Sequence, residues 1–222
     1  MIPWEVLDTA DVPGGGTLRL KRRGREFSIM LGATELMNSR LSGSEVALAT
    51  LVAERLGQRA RPAVLIGGLG MWFTLRAALD AVAADARITV AELVPAVVAW
   101  AKGPMADLFR GCLADPRVDV READVGAVMR DGRATYDAVL LDVDNGPDGL
   151  TRPANDALYG AEGLAVARAA LKPGGLLAVW SSAPSPAFVR RLRKAGFTVD
   201  EVPVRANGAR GGARHVVWIA GR

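Results

Sequence analysis

From residue 62 onward, short apolar runs of strand length alternate with segments whose apolar positions recur at helical spacing. The runs are Ala63–Ile66, Ile88–Ala91, Val118–Val120, Ala138–Leu141 and Leu176–Trp180, followed by Thr198–Val202 and Val216–Ala220. Interleaved in this way they predict βαβ units around a parallel sheet of seven strands. The earlier runs are apolar at nearly every position, as in strands covered by helices on both faces. The last two differ. Phe197–Val204 and Arg214–Ala220 are joined by ANGARGG, too short and glycine-rich for a helical crossover, so they should form an antiparallel hairpin at one edge of the sheet. Residues 1–57 break the alternation. They read as a β-hairpin followed by a helix over Ser42–Leu56, a small cap in front of an α/β domain at 58–222.

Composition removes several classes of chemistry. Half the residues are apolar and 23% are charged, the balance of an ordinary globular chain, and 222 residues can bury one large core. One cysteine, Cys112, and one histidine, His215, exclude an internal disulfide, a cysteine-rich zinc site and any two-histidine metal centre. A nucleophilic triad would have to run entirely through His215, which reads as a histidine satisfied within an edge strand. Acids and glycines are plentiful instead, which favours chemistry done by positioning a cofactor. The start has no basic segment followed by an apolar one, and no stretch approaches the roughly 18 apolar residues of a membrane span, so a cytoplasmic chain without membrane contact is expected. The net charge of +4 gathers in two runs, Lys21–Arg25 and Arg190–Lys194. The first reads as a hairpin tip. The second reads as the polar side of a short helix opened by Ser185-Pro186, with Phe188 and Leu192 on its apolar side. Few aromatics interleave this charge, which argues against nucleic-acid binding.

The chemistry-bearing stretch is Ala63 to Arg76, a strand, a glycine turn and a helix. Gly67, Gly68 and Gly70 let the backbone turn tightly and admit a ligand beside helix N-terminal amides. The next strand ends in Glu92, followed by Leu93; an acid there can accept from ribose hydroxyls. Positions 72 and 73 are Trp and Phe, so the third glycine of a dinucleotide fingerprint is missing, which favours an adenosyl ligand without phosphates. The third strand runs into Ala123-Asp124, where an acid can accept from an adenine amino group. The fourth delivers Asp142 and Asp144, with Asn145 and Asp148 beyond, to the carboxyl edge where open α/β sheets bind ligands. Ser42 to Glu45 matches a capping box, and Asp144 to Asp148 also has ordinary turn composition.

Taken in order, VLIGGLG, AELVPAVVAWA, DPRVDVREADV, YDAVLLDVDNGP and ALKPGGLLAVWSS resemble the class I S-adenosylmethionine-dependent methyltransferase fold, and most closely its spermidine synthase (polyamine aminopropyltransferase) branch. The resemblance spans roughly residues 15–220 and implies a Rossmann-like sheet with an N-terminal hairpin capping the site. It implies S-adenosylmethionine or its decarboxylated form as donor. Gly68 and Gly70 would cradle the methionine moiety, Glu92 would bind the ribose and Asp124 the adenine amino group, with Gly67, Leu93, Ala123 and Asp142 as further cofactor-binding candidates. Asp142 falls where that family keeps a catalytic aspartate, with Asp144 as a second acid. A homodimer is common in this fold and is expected here.

The chain also departs from the branch. The aspartate of the family's glycine loop, which would hold the amine of the decarboxylated donor, is replaced by Met71 or its neighbour. The second aspartate of the fourth-strand loop is replaced by Asn145, and a Tyr-His pair opening the first helix by Ser44-Glu45. Arg40 stands near a family acidic pair, where it could meet the carboxylate of intact S-adenosylmethionine; Asn145 and Tyr159 are further candidates for the substrate side. These departures favour methyl transfer to a small, amine-bearing acceptor. Aminopropyl transfer from the decarboxylated donor, and a non-catalytic adenosyl-binding domain, are the alternatives.

Overall fold

The computed structural model describes residues 2–143, 146–147 and 157–222. Among them, two sheets form. The smaller is a four-stranded antiparallel meander, β1 (Glu5–Asp11), β2 (Thr17–Arg23), β3 (Glu26–Leu31) and β4 (Thr34–Asn38), in that spatial order. The expected hairpin is its centre, β2 paired with β3 across Gly24, so the basic run Lys21–Arg25 does sit at the turn. The flanking strands escape a reading by periodicity. In β1 only Leu7 and Ala10 are even partly covered, so no period-2 apolar face marks it.

The larger sheet contains β5 (Ala63–Gly67), β6 (Arg87–Glu92), β7 (Val118–Glu122), β8 (Tyr136–Leu141), β9 (Leu171–Ser181), β10 (Thr198–Arg205) and β11 (Arg214–Gly221). Its order is β10-β11-β9-β8-β5-β6-β7, with β5, β6, β7, β8 and β9 parallel. β11 is antiparallel to both neighbours, because it inserts between β9 and β10. His215 therefore lies on an interior strand, not the edge strand the sequence suggested; the edge is β10.

Among the described residues the helices that serve these sheets include α1 (Gly43–Leu56), α2 (Phe73–Ala81), α3 (Pro95–Lys102), α4 (Ala106–Phe109), α5 (Val125–Asp131), α6 (Ala161–Ala170) and α7 (Pro186–Lys194). α7 is capped as its sequence predicts, the Ser185 hydroxyl accepting from the Phe188 amide at 3.2 Å while Phe188 and Leu192 are buried. Two apolar layers, one on each side of the sheet, cover the strands. One joins α1 and α2 to the inner face of the small sheet, with Leu20, Ile29 and Leu48 wholly buried. The small sheet thus shares a core with the α/β unit. A further tie is polar: the Trp100 indole N–H of α3 donates to Asp8 of β1 at 2.6 Å and holds that carboxyl below its usual range.

Candidate active site

The parallel strands end on one edge, and their ends carry the acids. Between this edge and the small sheet lies a cleft enclosing roughly 890 Å³, its open mouth included. One wall is the glycine turn and the ends of β6, β7 and β8: Gly68, Gly70, Glu92, Leu93, Ala123, Asp124 and Asp142. The opposite wall is apolar and comes from the cap, including Leu18, Ile29 and Met37.

The turn needs glycine at Gly68. Its φ is +91°, and a Cβ there would lie 2.5 Å from the Asp142 carbonyl oxygen. Glu92 clamps the same turn from the other side. Its two oxygens accept the Leu69 and Val94 amides, each at 2.9 Å, so the side chain that faces the cleft also sets the loop's shape. Burial pushes the Glu92 pKa up, and the amides oppose that rise. Asp124 caps α5 by accepting from the Ala127 amide at 2.9 Å and is largely exposed at the cleft mouth.

A smaller cavity continues from the cleft past Gly70. It is lined by Glu45, Asp142, Met71, Trp180, Asn38 and Phe73, among others. Asp142 lines both spaces. Its carboxylate accepts from the Thr74 hydroxyl at 2.5 Å. Burial, and then the nearby Glu45 charge, raise its pKa to about 7 despite the Thr74 bond. Glu45 is also raised, chiefly by burial, and accepts from the Ser44 hydroxyl at 2.7 Å. The capping box expected at Ser42 does not form: Ser42 makes no side-chain cap bond, and Glu45 turns to the cavity instead. Two acids that share one small, largely enclosed space cannot both ionise cheaply unless a positive charge joins them.

The remaining candidates fall elsewhere. Gly67 is the last residue of β5, with Val125 and Leu141 packed around it, and is not part of the cleft lining. Arg40 is exposed, paired with Glu26 and Glu35 at 3.4 Å, and lines neither space. Tyr159 is buried, donating to the Val143 carbonyl at 3.3 Å and packing edge-on against Phe188. Asp144, Asn145 and Asp148 lie outside the described residues. Glu45 and Thr74 were missed as site residues. Their signal was positional, since each opens a helix whose N-terminus meets the carboxyl edge of the sheet.

No family profile matches the chain. A curated relative, a polyamine aminopropyltransferase of Mycobacterium tuberculosis, is 33% identical over 159 residues, 68% of this chain. The chain spans only 29% of that relative's length. Among solved structures, the spermidine synthase of Thermotoga maritima superposes with a TM-score of 0.74 at 16% identity, covering 97% of this chain and 72% of that one. A Burkholderia thailandensis 1,6-didemethyltoxoflavin-N1-methyltransferase, solved with S-adenosylhomocysteine, gives 0.57 at 22% identity over 82% of this chain and 79% of that one. The fold is thus that of the class I S-adenosylmethionine-dependent methyltransferases. Within it, the capping antiparallel sheet and the sequence relatives mark the chain as spermidine synthase-like.

Proposed function

We propose that this chain transfers a carbon group from an adenosyl sulfonium donor to the nitrogen of a small amine, and that the group is aminopropyl, from decarboxylated S-adenosylmethionine. The observation that carries the reading is the Glu45–Asp142 pair lining one small cavity beside the glycine turn. A polyamine is a cation, and a cation between these carboxylates relieves the repulsion that raises the Asp142 pKa. The names of the relatives, polyamine aminopropyltransferase and spermidine synthase, point the same way.

The cleft suits an adenosyl group. Leu93, Ala123 and the cap's apolar side chains offer faces for the adenine, Asp124 an acceptor for its amino group, and Glu92 an acceptor for the ribose. Gly68 and Gly70 let the chain pass close to the sulfur-bearing arm. A bound donor supplies an electrophilic carbon and its own leaving group, a neutral thioether. The protein's part is to hold the amine in line behind that carbon and to take its proton. Asp142, with its lone pairs steered by Thr74 and a pKa near neutrality, is matched to that proton transfer. Asp144, two residues beyond Asp142 in the sequence and outside the described residues, is proposed as a second acid.

One observation favours a second reading, methyl transfer from intact S-adenosylmethionine. By the family resemblance Met71 or its neighbour replaces the glycine-loop aspartate that would meet the amine of the decarboxylated donor, and Met71 is buried in the wall of the small cavity. The two are separated by incubating the protein with a diamine and either donor and identifying the nucleoside released. Methylthioadenosine from the decarboxylated donor supports aminopropyl transfer. S-adenosylhomocysteine from the intact donor overturns it in favour of methyl transfer, and tight donor binding with neither product favours a non-catalytic domain.

A further inference from the structure

The only histidine of the chain is joined to the small cavity by hydrogen bonds across 171 residues of sequence. His215 Nδ1 lies 2.9 Å from the Ser44 hydroxyl oxygen, and that hydroxyl is 2.7 Å from Glu45 Oε2. Ser44 is wholly buried, and the Trp180 ring that packs edge-on against the imidazole at 5.0 Å also lines the cavity. The contact is built into the backbone. The Gly43 amide donates to the Ala206 carbonyl at 2.9 Å, and a Cβ on Gly43 would sit 2.0 Å from the Gly208 nitrogen, so only glycine lets α1 begin this close to the β10–β11 connector.

We propose that His215 is a positioning residue and proton outlet for this site: through Ser44 it orients the Glu45 carboxylate and draws off the proton that the acceptor amine sheds. The proposal rests on the amine-transfer reading above. A serine hydroxyl has one proton. With Glu45 ionised that proton is given to Oε2, so Nδ1 must carry hydrogen and donate to Ser44. When an ammonium N–H breaks in the cavity, Asp142 takes its proton and passes it to Glu45; the ring gives up its Nδ1 hydrogen and takes one from solvent on Nε2, and the donors then reverse. The carboxylic acid donates to Ser44, and Ser44 donates to a bare Nδ1. Passing the proton on moves Glu45's hydrogen to the serine oxygen and the serine's own hydrogen to Nδ1. That leaves an imidazolium, whose Nε2 hydrogen is lost to solvent at the half-buried ring. No atom or electron is left over.

The charges around His215 are compatible with this role. From α1 the sheet face receives Glu45 and, at the far end, Arg55; β10 contributes Asp200, which pairs with Arg55; β8 contributes Asp142. Arg214, and Arg205 opposite it, belong to the alternate face of the two strands. Burial lowers the His215 pKa, which favours the neutral ring; of its two tautomers only the Nε2–H form can accept from Ser44.

Because the chain has one histidine, ¹⁵N-histidine NMR reads its tautomer without assignment. We expect Nδ1–H in the ligand-free wild type at pH 9 and reversion to Nε2–H in Ser44→Ala. In turnover, His215→Asn keeps a donor at the Nδ1 position but cannot carry a proton. It should lower kcat about 10-fold or more, steepen the acid limb of the pH profile and leave donor affinity unchanged, while Ser44→Thr retains most activity. Wild type showing Nε2–H, or His215→Asn turning over at full rate, overturns the relay. Wild type that shows Nδ1–H but transfers nothing to any amine overturns the transfer reading, and with it the outlet's role.

Discussion

Replacing Asp142 by Asn should stabilise the ligand-free protein, and by an amount that depends on pH. The carboxyl titrates at about 7 in the fold against 3.8 as a free side chain. The folded state therefore holds this proton more tightly than the unfolded chain between those values, and stability falls as pH rises through the window. The gap is about 3 pKa units, each worth about 1.4 kcal/mol, which puts an upper bound of about 4 kcal/mol on the cost of ionising the side chain in place. Part of it belongs to repulsion by Glu45, which the variant also relieves. An asparagine oxygen can still accept from Thr74, so the neutral side chain should lose little. Near pH 4 the two proteins should melt together. At pH 8 the variant should be more stable by about 2–4 kcal/mol, a rise of roughly 4–16 °C in Tm for a chain of this size. Differential scanning calorimetry across pH 4–9 measures this directly. A Tm difference independent of pH, or a wild type that is the more stable at pH 8, would refute the account of Asp142 as a strained acid.

Gly68→Ala should cost at least about 2 kcal/mol in urea denaturation and abolish donor binding, since the added methyl meets the Asp142 backbone at a φ that L residues rarely adopt; unchanged stability would mean that the turn is looser than its geometry indicates. Asp137 is buried and accepts from Lys172 at 2.6 Å, the Ala63 amide at 2.8 Å and Arg59 at 3.1 Å, and although burial pushes its pKa up, these partners hold it below its ordinary value. Asp137→Asn should therefore cost about 2 kcal/mol at pH 7, a loss that shrinks as acid protonates the wild-type carboxyl; a constant difference down to pH 3 would contradict the pairing. Leu20→Ala, at a side chain with no exposed surface, should cost about 2–5 kcal/mol in a single transition, whereas a loss below 1 kcal/mol would show that the small sheet is not part of the shared core.

The α/β sheet was legible because its strands are buried on both faces and so stand out as apolar runs. The three acids at 92, 124 and 142 were legible because topology sends every parallel strand to the same edge, so that one rule about strand ends locates them all. The cap was half legible. β2 and β3 bury alternate residues and show it, while β1 packs too little surface to impose a pattern.

What stayed hidden is the second carboxylate and its hydrogen-bonded support, and the reason is physical. Ser42 to Glu45 satisfies a local rule, the capping box, whose reward is a hydrogen bond or two at a helix end. Here a stronger constraint wins: α1 is pinned by Gly43 against the β10–β11 connector, which carries Ser44 to His215 and turns Glu45 toward Asp142. None of those contacts has a sequence separation short enough to leave a periodic trace. The departure of Ser44-Glu45 from the Tyr-His of the spermidine synthases looked like the loss of a substrate-binding element. In the folded chain the same two residues restore an acid to the cavity and connect it to the one imidazole available, so the count of cation-binding groups has to be taken in three dimensions and not along the motif.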